Sequence, residues 1–157
     1  MGDFEKFYNS ALRFLSYRPR SEKEVRDKLK SKKVESSVIE KIIAKLKEKK
    51  FINDEEFARL FVENRLRFKP RSLRLIKIEL KQKGISSEII ESRIKNQELG
   101  AESDLEQAKK LVQKRIGRLK GLSKEEIYQK LGRFLASKGF DWDTIKQAID
   151  EALDKGV

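Results

Sequence analysis

The chain has 157 residues, 38 basic against 26 acidic, for a net charge of +12, and contains neither cysteine nor histidine. Those absences exclude disulfides, thiol chemistry, and the zinc sites and nucleophile–base pairs built on these side chains. No uninterrupted apolar run exceeds three residues, as in Leu60-Phe61-Val62, so no segment is long enough to cross a bilayer as a helix.

Read in order, the chain predicts helices throughout and no strand. The opening MGDFEKFYNS lacks the basic start and apolar centre of a secretory signal, and with no cysteine a cytoplasmic location is expected. Ala11, Phe14 and Leu15 share one face of a first helix. Pro19 ends it, because the residue before proline is biased away from helical geometry. Ser21-Lys-Glu-Glu24 reads as a capping box opening a second helix, with Val25 and Leu29 facing inward. Lys33 falls where a left-handed turn is expected, which a residue with a Cβ adopts only at a cost. Ser37-Val-Ile-Glu40 reads as a further capping box, and Ile39 and Ile43 form a third inward face.

The pattern then repeats. Val25, Leu29, Val34, Ile39 and Ile43 recur 51 residues later as Ile76, Leu80, Ile85, Ile90 and Ile94. They recur 55 residues further on as Leu131, Leu135, Phe140, Ile145 and Ile149. Upstream of these blocks, Ala58/Phe61/Val62 and Ala108/Leu111/Val112 echo the first helix. Asn53-Asp-Glu-Glu56 and Ser103-Asp-Leu-Glu106 supply predicted starts, Pro70 repeats Pro19, and Gly84 and Gly139 occupy the left-handed position held first by Lys33. The expected fold is all-α: three tandem three-helix repeats at 1–50, 51–98 and 99–157. Units this small are individually marginal, so they are expected to stack into an elongated, curved, solenoid-like molecule. Ile78 lies about 200° from Ile76 on an ideal helix, away from the core; packing against a neighbouring unit or a partner is open to it, and the intramolecular role is the one expected.

Acidic residues vanish from residues 6–21, 64–78 and 107–124, each window covering the end of a first helix and its junction with the second. A lysine- and glutamate-rich, heat-stable surface explains the amount of charge but not its sign or clustering. The windows nominate Arg18, Arg20, Arg65, Arg67, Lys69, Arg71, Arg74, Lys77, Lys114, Arg115, Arg118 and Lys120 as binding residues for phosphate or acidic protein surface. Arginine predominates in the middle window and suits bidentate contact with either. Tyr17 and Phe68 stand among these cations. Stacking on unpaired bases is one role for them; packing is the commoner role of an aromatic at a helix end. The glycines form no phosphate loop and the carboxylates sit at caps and on charged faces. No catalytic set, metal site or cofactor is expected.

Phe51-Ile52-Asn53-Asp54-Glu55-Glu56-Phe57-Ala58, then Arg65, then Glu79-Leu80-Lys81-Gln82-Lys83-Gly84-Ile85 resembles the central motif of the RecX family. Tyr17-Arg18-Pro19-Arg20-Ser21 with Val25 and Leu29 is similar to its first-repeat motif. Arg133-Phe134-Leu135 and Lys138-Gly139-Phe140 with Ile145 resemble its last. The resemblance covers nearly the whole chain. It implies a tandem-repeat regulator that binds RecA filaments on DNA, lies in the filament groove, and suppresses ATP hydrolysis and strand exchange. The partners expected are RecA and, weakly and in a salt-sensitive way, single- and double-stranded DNA. A monomer with no membrane association is expected. Two other readings compete: a sequence-nonspecific DNA-binding module without RecA contact, and a protein-only helical scaffold.

Overall fold

The protein is described from a computed structural model covering residues 2–97 and 101–154. Among the described residues every regular element is helical. They are α1 (Gly2–Tyr17), α2 (Glu22–Ser31), α3 (Ser36–Glu48), α4 (Asp54–Phe68), α5 (Leu73–Gln82), α6 (Ser87–Asn96), α7 (Ala101–Ile116), α8 (Lys124–Ser137) and α9 (Trp142–Asp154). A short 3-10 turn, Gly117–Leu119, follows α7. Three consecutive helices make one repeat. Of the fifteen positions that recur through the three repeats, all but the half-buried Val34 are buried.

Packing divides the chain into two compact units. One holds Met1–Phe61 and Leu80–Arg93, the other Val62–Glu79 and Ile94–Val157, so the second repeat is shared between them. The first unit centres on Val25, Leu29, Ile39, Ile42, Ile43 and Leu46 with Ala11. The second centres on Ala108, Val112, Leu131, Leu135, Phe140, Ala148 and Ile149.

The second helix of each repeat ends in the same turn. Val34, Ile85 and Phe140 each donate their N–H back to Leu29, Leu80 and Leu135, the bond that closes a left-handed helix end. Lys33 (φ 61°), Gly84 (φ 80°) and Gly139 (φ 88°) hold the left-handed position. The first turn therefore has the same shape as the others despite its lysine.

The contacts made by the two glycine turns explain why Pro-Arg-Ser is written twice. In the first unit, Ser21 Oγ donates to the carbonyl of Lys83 at 2.6 Å, and the Glu22 N–H donates to Asp54 Oδ1 at 2.9 Å. In the second unit, the Ser72 N–H donates to the carbonyl of Lys138 at 3.0 Å, and the Leu73 N–H to Asp104 Oδ1 at 2.8 Å. Each serine thus starts a helix and also receives the Lys-Gly turn of the following repeat. An aspartate from that same following repeat accepts an otherwise orphaned N–H at the helix start. Burial pushes both the Asp54 and the Asp104 carboxyls above the usual carboxylate range, against the pull of the N–H groups they accept. Three repeats have two such joints. In the third, the register of Ser21 and Ser72 falls on Ile127, inside α8, which has 14 residues where α2 and α5 have 10.

Several expected caps move. Ser21 forms the full capping box with Glu24, and Asn53 accepts from the Glu56 N–H. Ser37 caps nothing: α3 starts at Ser36, with Glu35 preceding it and making no side-chain cap. Because Val34 closes the preceding turn, Glu35 alone remains to link it to α3, and Ser37 already lies in the first helical turn. Ser103 likewise lies within α7. The caps in use are Ser72, Ser86, Ser123 and Asp141, each accepting an N–H three residues on.

Candidate partner-binding surface

The acid-free windows lie where helices end, and the structure sorts their cations into two groups. In the first window, Arg18 Nη2 reaches Glu24 Oε2 at 2.5 Å, while Arg18 Nη1 donates to the Pro19 carbonyl at 2.8 Å. Burial opposes ionisation of Glu24, but Arg18 and the Ser21 N–H together hold its carboxyl below the usual range. Arg20 lies over the Phe14 ring, 3.9 Å from its centroid, and its Nε donates to the Phe14 carbonyl. Both guanidiniums brace the link between α1 and α2.

The middle window is built around one carboxylate. Glu79 Oε2 accepts from Arg71 Nη1 at 2.9 Å and from Arg65 Nε at 3.3 Å. The three side chains retain only 14% (Arg71), 22% (Arg65) and 18% (Glu79) exposure, so the cluster ties α4 to α5 rather than facing solvent. Arg71 Nε also donates to the Lys69 carbonyl, and Arg74 Nη2 to the Gly139 carbonyl at 3.2 Å. Lys77 is half-buried. In the last window, Arg115 stacks 3.5 Å from the Phe134 ring centroid.

Arg67, Lys69, Lys114, Arg118 and Lys120 are exposed and make no ion pair among the described residues; Arg67 lies 5.2 Å from the ring centroid of Phe68, which is itself exposed. All five lie in the second compact unit, at the end of α4, the end of α7 and the 3-10 turn beyond it. Such cations keep their charge available for a polyanion or an acidic surface. The nominated set therefore separates into arginines with internal partners and cations that face water. Sequence alone could not separate them, because the Arg65 and Arg71 partner is fixed only when α4 and α5 pack.

The aromatics reverse their expected role. Tyr17 is 76% and Phe68 64% exposed, so neither is a packing residue. They occupy the same register, each two residues before a Pro-Arg-Ser, and that repetition was a signal available in the sequence. Ile78, expected to pack internally, is 40% exposed. Phe51 and Trp142, which no motif had marked as surface residues, are exposed as well.

Three-helix repeats joined through their helix-end turns, with exposed cations at the ends of α4 and α7, define a helical-repeat protein with a basic patch in its second unit. The comparisons narrow this class. Family models described as the first, second and third three-helix domains of RecX match residues 8–46, 53–92 and 102–149. The regulatory protein RecX of Clostridium tetani is 37% identical over 155 residues, covering 96% of this chain and 69% of that protein. The RecX of Bacillus pumilus is 38% identical over 150 residues, and there the chain spans only 56% of the relative's length. The crystal structure of RecX from Lactobacillus salivarius superimposes with a TM-score of 0.77 at 33% identity, covering 96% of both chains. The chain belongs to the RecX family.

Proposed function

We propose that this protein is a non-enzymatic, cytoplasmic regulator that binds RecA filaments on DNA and inhibits their ATP hydrolysis and strand exchange. The observation that carries the reading is the set of exposed cations at Arg67, Lys69, Lys114, Arg118 and Lys120 in a chain whose relatives are named regulatory proteins. Arg65 and Arg71 on Glu79, and Arg115 on Phe134, contribute by holding the α4–α5 and α7–α8 junctions beside this set. A filament of RecA on DNA offers both acidic protein surface and phosphate to such cations, and arginine and lysine bind each. Two compact units on one chain give separate surfaces for neighbouring RecA subunits. Fixing neighbours in one arrangement opposes the movements that hydrolysis and filament growth require. Shape and charge suffice for this, with no catalytic residue.

The test is reversal of the five exposed cations to glutamate, leaving Glu79 and its two arginines intact. The variant is expected to keep its helical circular dichroism and to need at least about tenfold more protein for half-inhibition of RecA ATP hydrolysis. Its affinity for duplex DNA is expected to lose salt dependence, by about 0.9 in slope for each phosphate contact removed. A folded variant that inhibits as well as its parent would sink the basic-surface reading.

A further inference from the structure

In the first compact unit a groove of about 730 Å³ opens between the end of α1 with its link to α2 and the start of α4 with the link before it. Leu12, Leu15, Phe57 and Leu60 line it with apolar side chains. Tyr17 and Phe51 also line it, 76% and 51% exposed. Two of the chain's exposed large apolar side chains therefore meet at one depression. Lys50 (φ 61°) holds a left-handed turn after α3. The Phe51 side chain, next in the chain, is left exposed while its neighbour Ile52 is buried.

The groove's cations are Arg18, Arg20 and Lys50, set against the single carboxylate of Glu56, which already pairs with Arg59 at 2.5 Å. This excess of positive charge around an apolar lining selects an occupant that is acidic and carries an apolar anchor. Arg18 is neutralised by Glu24, so the excess rests on Lys50 and on Arg20, which lies on Phe14 but keeps its charge. Nucleic acid fits less well, because strand binding combines a run of cations along the backbone with flat stacking platforms. Three leucines in the lining give depth rather than a plane.

We propose that this groove receives an acidic segment of the partner protein, with one aromatic or branched aliphatic side chain seated among Leu12, Leu15, Phe57 and Leu60 and held by Tyr17 and Phe51. Buried aromatic anchors dominate such contacts, and surrounding charges set orientation and encounter rate. The inference rests on the reading that RecA filaments are the partner, and it assigns the first unit a protein contact separate from the cations of the second.

The experiment uses the whole chain with Tyr17→Ser and Phe51→Ser together, both exposed, so that the helices are retained. Two readouts are taken: inhibition of RecA ATP hydrolysis, and affinity for single-stranded DNA in the absence of RecA. Half-inhibition is expected to need at least about tenfold more of the double variant, with DNA affinity unchanged. Undiminished inhibition overturns the groove assignment while leaving the RecA reading standing. A loss of DNA affinity that accounts for the lost inhibition makes the occupant a nucleic-acid strand and also overturns it. Absence of inhibition by the unaltered protein overturns the RecA reading, and the groove assignment falls with it.

Discussion

Replacing Gly84 by alanine is expected to cost about 2–5 kcal/mol of stability, through a left-handed backbone and a steric clash that add. Gly84 holds φ 80°, a conformation that costs a residue with a Cβ about 1–2 kcal/mol. A Cβ built there would lie 2.4 Å from Lys23 Cβ, an atom fixed to the α2 backbone that cannot rotate away. Overpacking of this kind costs about 1–3 kcal/mol. Gly139→Ala is expected to cost somewhat less, about 2–4 kcal/mol. Its nearest neighbour, Ser72 Oγ at 2.3 Å, can rotate, although Leu75 Cβ at 2.9 Å cannot. The control is Lys33→Gly. It relieves the same backbone strain, so it is expected to be neutral or to stabilise by up to about 1 kcal/mol. Urea unfolding followed by helical circular dichroism measures all three. A Gly84→Ala protein as stable as its parent would contradict the joint between the Lys-Gly turn and the start of α2.

Glu79→Ala is expected to cost about 2–4 kcal/mol, the range for breaking a buried pair reduced for the roughly one-fifth exposure of this cluster. The alanine leaves the Arg65 and Arg71 guanidiniums side by side and mostly out of water, without the carboxylate that now accepts from both. Glu79→Gln retains an acceptor but loses the charge, and a smaller loss of about 1–2 kcal/mol is expected. The comparison pair is Lys23–Asp27, 2.8 Å apart but with both side chains about half exposed. Asp27→Ala is expected to change stability by less than about 0.5 kcal/mol. The same urea titration separates the two cases, and equal effects at Glu79 and Asp27 would show that the cluster is not closed to solvent. Charge reversal at Arg65 or Arg71 therefore damages the fold, and only the five exposed cations give a clean test of binding.

The apolar register was legible because helix periodicity is local. Val25/Leu29, Ile76/Leu80 and Leu131/Leu135 are spaced for one helical face, and each pair is buried. Gly84 and Gly139 were legible for a similar reason, since few residues accept a left-handed helix end. Caps were misplaced where a motif was read without its register. Positions 35, 86 and 141 are equivalent, and the latter two carry the caps Ser86 and Asp141, whereas Ser37 was selected for the glutamate three residues on. The roles of the cations were hidden because their partners lie on other helices or links and meet them only on packing. Arg65 on α4 meets Glu79 on α5, and Arg74 reaches a carbonyl 65 residues away. Composition revealed that the surface is basic, and only packing revealed which cations remain available.

The proposed target is the RecA filament itself. ATP hydrolysis by RecA on single-stranded DNA, with DNA in excess and this protein titrated below the RecA concentration, tests it. Inhibition is expected at substoichiometric ratios, since contact with neighbouring subunits in a filament affects more than the molecules touched. Hydrolysis that stays at its uninhibited rate, while the protein demonstrably binds DNA under the same conditions, would contradict it.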